Sequence, residues 1–312
     1  MSYWLVTTEH LEDRLLFRDL EDFIVGMNYV AVQAFKCGVF VLAFILMSNH
    51  LHLLLFCSRE KAEEFIQGFK TVYSRYLWKK YGSREHLRRL KVEVNPIHGD
   101  EALEWAIAYI QMNPVAANIC VSPFDYPWGT GRTFFRPSLK RDDGAPGVDH
   151  GYSNGDGITF GGGVTEHVRP LKAVSDREQA RLLHSRIKLP QSWMVCDAGY
   201  VLPDSFVRKD IVEEAFRTPK RMSFFLHNSS KAKQRLEMAD SNLPAFRDQV
   251  ILAAVPDLCQ SLFRKRSVEE LTEDQMLELL RQLRFRFSAG ANQLARVTGL
   301  SYDTAAKYLD RG

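Results

Sequence analysis

The first part of the chain alternates between short apolar runs and longer stretches with helical spacing of apolar residues. Apolar, β-branched and aromatic residues are concentrated at 3–8 and 39–47, which predicts strands there. The turn residues Ser48 and Asn49 follow, and the segment 50–56 (HLHLLLF) is again apolar. We therefore expect a hairpin in which 50–56 returns antiparallel to 39–47.

Helical spacing predicts three helices in the same region, at 19–37, 59–82 and 100–113. A short strand is predicted at 90–94, ended by Asn95 and Pro96, and the last helix is expected to end near Pro114. The resulting order β-α-β-β-α-β-α predicts an α+β fold: a ferredoxin-like antiparallel sheet with helices on one face.

Composition divides the 312 residues into three parts. Residues 1–137 carry the periodic pattern and are predicted to form one domain. Residues 138–200 begin with a stretch rich in Gly and Asp, which buries too little surface to order itself, so they are predicted to be a flexible linker. Residues 201–312 read as an all-helical domain.

Charge and cysteine content limit the function classes only weakly. The net charge is +3, so binding to nucleic acid would require local clusters of basic residues. The five cysteines form no C-x-x-C pair, which is typical of a reducing cytoplasm. The longest apolar run, 39–47, is far shorter than the roughly 20 residues that span a bilayer, and we expect a soluble cytoplasmic protein without a signal peptide.

Two histidines interrupt the most apolar stretch of the chain. In an extended strand, His50 and His52 point to one side and Leu51 and Leu53 to the other. Such an H-x-H pair is either a pair of metal ligands or two ordinary histidines near a sheet edge. The first interpretation requires a third ligand and a reactive group elsewhere.

The helix predicted at 100–113 offers both. Tyr109 and Asn113 are four residues apart and share a helical face, so Asn113 could complete a three-ligand set with Tyr109 one turn away. Two nitrogens and one neutral oxygen suit an open, catalytic site for Mg²⁺ or Mn²⁺. Alternatively, Tyr109 simply packs against Trp105, and Asn113 is an ordinary helix-ending residue.

Basic and aromatic residues alternate along and after the helix predicted at 59–82, a combination typical of single-strand nucleic-acid binding. The alternative is that the aromatic residues form the buried face of the helix. The basic residues predicted to contact DNA here are Lys70, Arg75, Lys79, Lys80, Arg88 and Arg89.

The C-terminal segment 291–309 predicts two helices joined at Gly299, with Ser301 capping the second. This spacing resembles a helix-turn-helix, and a generic helical hairpin is the alternative. In the DNA-binding interpretation Tyr302, Thr304 and Lys307 face the major groove.

The motifs NHLHLLL, a long basic helix and YIQMNPVAANIC occur in this order. Together they resemble the HUH-type single-tyrosine transposases of small bacterial insertion sequences, and among these the REP-associated tyrosine transposases. YPWGTGRTFF (126–135) is also similar to that family, and the resemblance covers 1–137. It implies that His50, His52 and Asn113 bind a divalent metal and that Tyr109 is the nucleophile.

The resemblance implies metal-dependent cleavage and strand transfer of single-stranded or hairpin DNA through a 5′-phosphotyrosine intermediate, by a monomer or a homodimer. A second hypothesis is a domesticated DNA-binding regulator, or a genome-organising protein, that acts through the C-terminal helices on duplex DNA. A replication initiator or relaxase is a third, although the chain has no phosphate-binding Gly-Lys loop.

Overall fold

The computed structural model describes residues 1–8, 15–82, 87, 90–117, 119–135, 167–229, 246–287 and 289–310. Four strands, β1 (Ser2–Thr8), β2 (Phe40–Met47), β3 (His50–Cys57) and β4 (Val92–Ile97), form an antiparallel sheet. Their order is β2-β3-β1-β4. Met47 pairs with His50, so Ser48 and Asn49 form the two-residue turn that the sequence predicts. The α+β class is confirmed.

Three helices accompany the sheet: α1 (Leu20–Cys37), α2 (Arg59–Tyr81) and α3 (Asp100–Ala116). The Asp19 side chain accepts the Asp22 N–H at the start of α1, and Gly38 ends that helix with a φ of 61°, a left-handed conformation that glycine adopts without strain. Ser58 caps α2 in the same way as Asp19 caps α1.

The helices cover both faces of the sheet. Leu46 pairs with Leu51 and lies against α1, where a Cβ added to Gly26 would come 2.9 Å from Leu46 Cδ1. His52 is on the opposite face, and its ring contacts Tyr109 of α3. The prediction that the helices lie on one face is therefore wrong: a strand that is apolar on both sides needs cover on both.

Two prolines lie inside elements that they were expected to end. Pro96 belongs to β4, an edge strand that pairs only with β1 among the described strands, where a missing N–H is tolerated. Pro114 lies inside α3, which continues to Ala116.

The predicted linker differs from the structure where the structure describes it. Residues 167–200 contain β5 (Val168–Pro170), α4 (Asp176–Leu182) and β6 (Met194–Cys196), and β5 pairs with β6. The buried Asn28 of α1 fixes this segment, since its Nδ2 donates to the carbonyls of Leu182 and Gly199 and its Oδ1 accepts the Val201 N–H. The rest of the predicted linker, up to residue 166, lies outside the described residues.

The predicted boundary at residue 201 also differs from the structure. Helices α5 (Lys209–Phe216) and α6 (Pro219–Asn228) bury Val212, Phe216 and Phe225 in the same hydrophobic core as the sheet. A separate core, which includes Leu279 and Leu294, joins four later helices: α7 (Asp248–Phe263), α8 (Glu273–Phe287), α9 (Ala291–Thr298) and α10 (Tyr302–Asp310).

All five cysteines are free thiols. Among the described residues, no helix combines the length and the apolar character needed to cross a membrane.

Candidate active site

The two histidines lie at the start of β3, directly after the Ser48-Asn49 turn. His52 is fully buried and His50 is 4% exposed. Their ring centroids are 4.9 Å apart and the rings are nearly perpendicular. The side-chain alternation of the strand therefore places both imidazoles on one face, as the sequence predicts.

Hydrogen bonds orient both rings through Nδ1. His50 Nδ1 lies 2.9 Å from Asn49 Oδ1, and because an amide oxygen only accepts, Nδ1 donates and the lone pair of a neutral ring is on Nε2. His52 Nδ1 lies 3.2 Å from the hydroxyl of Thr7, its partner in β1. The Nε2 atoms of both rings are buried. Metal-binding histidines are commonly held in this way by a partner on the other nitrogen.

Tyr109 belongs to α3, which covers the face of the sheet that carries the histidines. Its ring centroid is 5.2 Å from that of His52, with an angle of 74° between the rings. Burial raises the pKa of the Tyr109 phenol above its usual value, so the hydroxyl is protonated near neutral pH. Trp105, the alternative partner of Tyr109, lies against Phe225 with ring centroids 4.6 Å apart.

Asn113 follows Tyr109 by one turn and is buried. Its Nδ2 donates to the carbonyls of Tyr109, at 2.7 Å, and Ile110, at 3.4 Å. Pro114 has no N–H for the Ile110 carbonyl four residues earlier, so the Asn113 amide replaces that bond and α3 continues. With Nδ2 used in this way, Oδ1 is the atom of Asn113 suited to a cation.

The donor set suits Mn²⁺ better than Mg²⁺. It comprises two imidazole nitrogens and one amide oxygen, a combination that Mn²⁺ accepts and that offers Mg²⁺ a single protein oxygen. Among the described residues no group of three or more His, Cys, Asp or Glu side chains is arranged to hold a metal. The candidate set depends on an amide ligand.

Two of the basic residues predicted to contact DNA are engaged within the protein. Lys70 is 9% exposed and its ammonium donates to the Leu90 carbonyl at 2.8 Å. Lys80 forms ion pairs with three carboxylates, those of Asp19, Glu21 and Asp22. A lysine that is already paired or buried has less charge to offer a phosphate, so these contacts do not favour the prediction for either residue, which stays untested.

The remaining basic residues of this group divide into two sets. Arg75 and Lys79 are exposed on α2, as a contact to phosphate requires. Arg88 and Arg89 lie outside the described residues.

Most aromatic side chains of α2 pack inside the protein. Tyr73 is fully buried and Tyr76 is 7% exposed. The Tyr76 hydroxyl donates to Asp22 Oδ1 at 2.8 Å, and the Tyr81 hydroxyl lies 3.0 Å from Asp22 Oδ2. The alternative interpretation, a buried aromatic face, therefore describes these residues better than base stacking does.

The last two helices are joined at Gly299, and Ser301 caps the second, as the sequence predicts; whether they form a helix-turn-helix stays a prediction. Gly299 has a φ of 73° and ends α9, and the Ser301 hydroxyl accepts the Thr304 N–H at the start of α10. Tyr302 is 42% exposed, Lys307 is exposed and Thr304 is half-buried. The Thr304 hydroxyl also bonds to Ser301 Oγ at 2.7 Å, so Tyr302 and Lys307 present the more accessible groups.

Sequence reasoning missed the two residues that orient the histidines. The sequence pattern predicts Asn49 only as a turn residue, although an amide next to a histidine is a visible signal. Thr7 is paired with His52 by the β1–β3 register, which the pattern of apolar residues in β1 does not determine.

Comparison with known proteins yields little that bears on function. No family model matches the chain, and no curated protein is significantly similar to it. A solved structure of a REP-associated tyrosine transposase bound to a REP hairpin is similar over 47% of this chain and 87% of the other, with 14% identity and a TM-score of 0.35. At that identity and TM-score the similarity supports no functional assignment.

Proposed function

We propose that this protein is a metal-dependent enzyme that cleaves and rejoins single-stranded DNA, with Tyr109 as the nucleophile. The observation that carries the proposal is the 5.2 Å contact between the rings of Tyr109 and His52, with His50 beside them in the same chain. The strand order β2-β3-β1-β4 supports a ferredoxin-like core. We propose that this core is of the HUH type and that the enzyme acts in the cytoplasm.

In the proposed reaction the Tyr109 oxygen attacks phosphorus. The tyrosine O–P bond forms and the P–O3′ bond breaks, so the product is a 5′-phosphotyrosine and a free 3′-hydroxyl. The phenolic proton leaves Tyr109 and the departing 3′-oxygen gains a proton. The covalent link keeps the energy of the broken bond, and attack by a 3′-hydroxyl reverses the step and joins strands.

Each residue of the site has a separate task in this scheme. His50 Nε2, His52 Nε2 and Asn113 Oδ1 would hold Mg²⁺ or Mn²⁺, which supplies positive charge beside the scissile phosphate. His52 also restricts the Tyr109 ring from the side. Because burial raises the pKa of Tyr109, a nearby positive charge is needed to favour the phenolate.

The test is to incubate a labelled hairpin with a single-stranded flank, Mn²⁺ or Mg²⁺ and the full chain. We expect an adduct that survives denaturing electrophoresis and is absent in Tyr109→Phe. Tyr3→Phe is the matched control, since Tyr3 packs against Phe56 at the end of the β1–β3 pair opposite to the histidines. Absence of the adduct, or an equal yield from Tyr109→Phe, would overturn the proposal.

A second candidate function is favoured by the helix pair α9–α10. The left-handed turn at Gly299 and the exposed Tyr302 and Lys307 suit a DNA-binding regulator that reads duplex DNA. This function predicts that duplex binding by the full chain is unchanged in the His50→Ala/His52→Ala variant and is weakened by Lys307→Ala. Loss of duplex binding in the histidine variant would contradict it.

A further inference from the structure

The turn that carries the histidine pair is held from outside the sheet. The hydroxyl of Ser48 donates to Asp248 Oδ2 at 2.9 Å, although Asp248 is the first residue of α7. Both residues are buried, with exposures of 8% for Ser48 and 6% for Asp248. A hydrogen bond from a buried hydroxyl to a carboxylate is among the stronger bonds in proteins.

The C-terminal helices fix Asp248 itself. Arg296 of α9 approaches it with two donors, Nε at 2.8 Å from Oδ2 and an amino group at 3.1 Å from Oδ1. Gln293, one turn earlier in α9, donates to Oδ1 at 2.9 Å. With these partners on both oxygens, the carboxylate has little freedom to rotate away from Ser48.

A second contact joins the same two regions. The carbonyl of Ser48 accepts the N–H groups of Leu16 and Phe17, and the side chain of Gln249 donates to the Phe17 carbonyl at 2.9 Å. Asp248 therefore contacts the turn directly, and its neighbour Gln249 contacts it through the segment 16–17.

The second residue of the turn, Asn49, contacts the first of the two imidazoles. Asn49 follows Ser48, and its Oδ1 accepts from His50 Nδ1. A continuous chain of contacts thus runs from Arg296 through Asp248, Ser48 and Asn49 to His50.

We propose that Asp248 is a positioning residue for the histidine pair, through which the C-terminal helices hold the β2–β3 turn in place. The catalytic part of this inference rests on the proposed function. In this inference the C-terminal helices also help to position the metal ligands, in addition to any role in binding DNA.

The decisive variant is Ser48→Ala in the full chain. It removes the bond to the turn and leaves the bonds of Asp248 to Arg296 and Gln293 in place. Ser175→Ala is the matched control, since Ser175 caps α4 away from the turn. Two quantities are measured: amide hydrogen exchange of residues 48–52 compared with the rest of the chain, and the rate of adduct formation compared with the affinity for hairpin DNA.

We expect exchange at 48–52 to rise about tenfold and adduct formation to slow about tenfold, the effect of one hydrogen bond to a charged group. The affinity for DNA should stay within about twofold, since the Ser48 side chain is buried and points its hydroxyl at Asp248. Ser48→Thr, which keeps the hydroxyl, should restore both quantities.

The outcomes separate this inference from the proposed function. Unchanged exchange at 48–52 overturns the inference, and so does faster exchange with an unchanged adduct rate, which shows a purely structural bond. Absence of any adduct in the wild type overturns the proposed function and the catalytic part of the inference. Exchange then still decides whether Asp248 holds the turn.

Discussion

The ring centroids of His52 and Tyr109 lie 5.2 Å apart, with an angle of 74° between the rings. His52 belongs to the central strand β3, and Tyr109 belongs to α3, the helix that covers this face of the sheet. The contact occurs within one chain, so this pair of side chains does not require exchange of helices between two copies.

Removing either imidazole should weaken metal binding. We expect His50→Ala and His52→Ala each to lower the affinity for Mn²⁺ by about 10- to 100-fold, because each removes one of three protein ligands. Titration followed by the electron paramagnetic resonance signal of free Mn²⁺ measures this directly. His98→Ala is the control, since His98 is exposed. Equal affinity in all three variants would rule out the histidine pair as ligands.

Asn113 should contribute to stability separately from any metal. Asn113→Ala leaves the Ile110 carbonyl without the donor that replaces the missing N–H of Pro114, at a cost of about 1–2 kcal/mol in the free energy of unfolding. Pro114→Ala restores that N–H, so the double variant should recover part of the loss. Urea unfolding without metal measures both, and additive effects would contradict this explanation.

Much of the fold and the core of the site can be predicted from sequence, because local patterns determine them. Alternation places His50 and His52 together, and the i, i+4 spacing places Tyr109 and Asn113 on one face of α3. The continuation of α3 past Pro114 cannot be predicted this way, since it depends on the side chain of Asn113.

The hydrogen bonds by which Asn28 holds the segment 167–200 cannot be predicted from the sequence either. Asn28 lies inside an apolar helix, and its partners are backbone groups far along the chain. A buried amide gives no sequence signal of which carbonyls it meets.

The two adjacent lysines of α2 should behave differently. Lys80→Ala removes a cation from the fully buried Asp22 and should lower the free energy of unfolding by about 1–3 kcal/mol. Lys79→Ala, the matched control on the exposed side, should leave stability unchanged and weaken DNA binding instead. Thermal unfolding and gel-shift titration of both variants provide the comparison. The opposite pattern would restore Lys80 as a DNA contact.

Asp19 should make stability depend on pH. Burial raises the pKa of Asp19, but hydrogen bonds from Lys80, the Asp22 N–H and Tyr81 outweigh it and lower the pKa below its usual value. A lowered pKa stabilises the fold at pH values above the pKa of the unfolded state, about 3.9. This contribution is lost as the pH falls through the lower pKa of the folded state.

Asp19→Asn keeps the helix cap and removes the charge. The difference in free energy of unfolding between wild type and Asp19→Asn should therefore be largest above about pH 5 and shrink toward pH 3. Urea unfolding across this range measures it. A difference that is constant with pH would show that the Asp19 charge is not involved.

The helix that carries Tyr109 should depend on residues beyond the predicted domain boundary. Glu104 of α3 is fully buried and accepts a hydrogen bond from Arg221 of α6 at 2.7 Å. Arg221→Ala leaves that carboxylate buried without its cation, so we expect a lower free energy of unfolding and slower adduct formation. Glu104→Gln in the same background removes the buried charge and should recover part of the stability, whereas no recovery would mean that Arg221 acts through packing on Phe225.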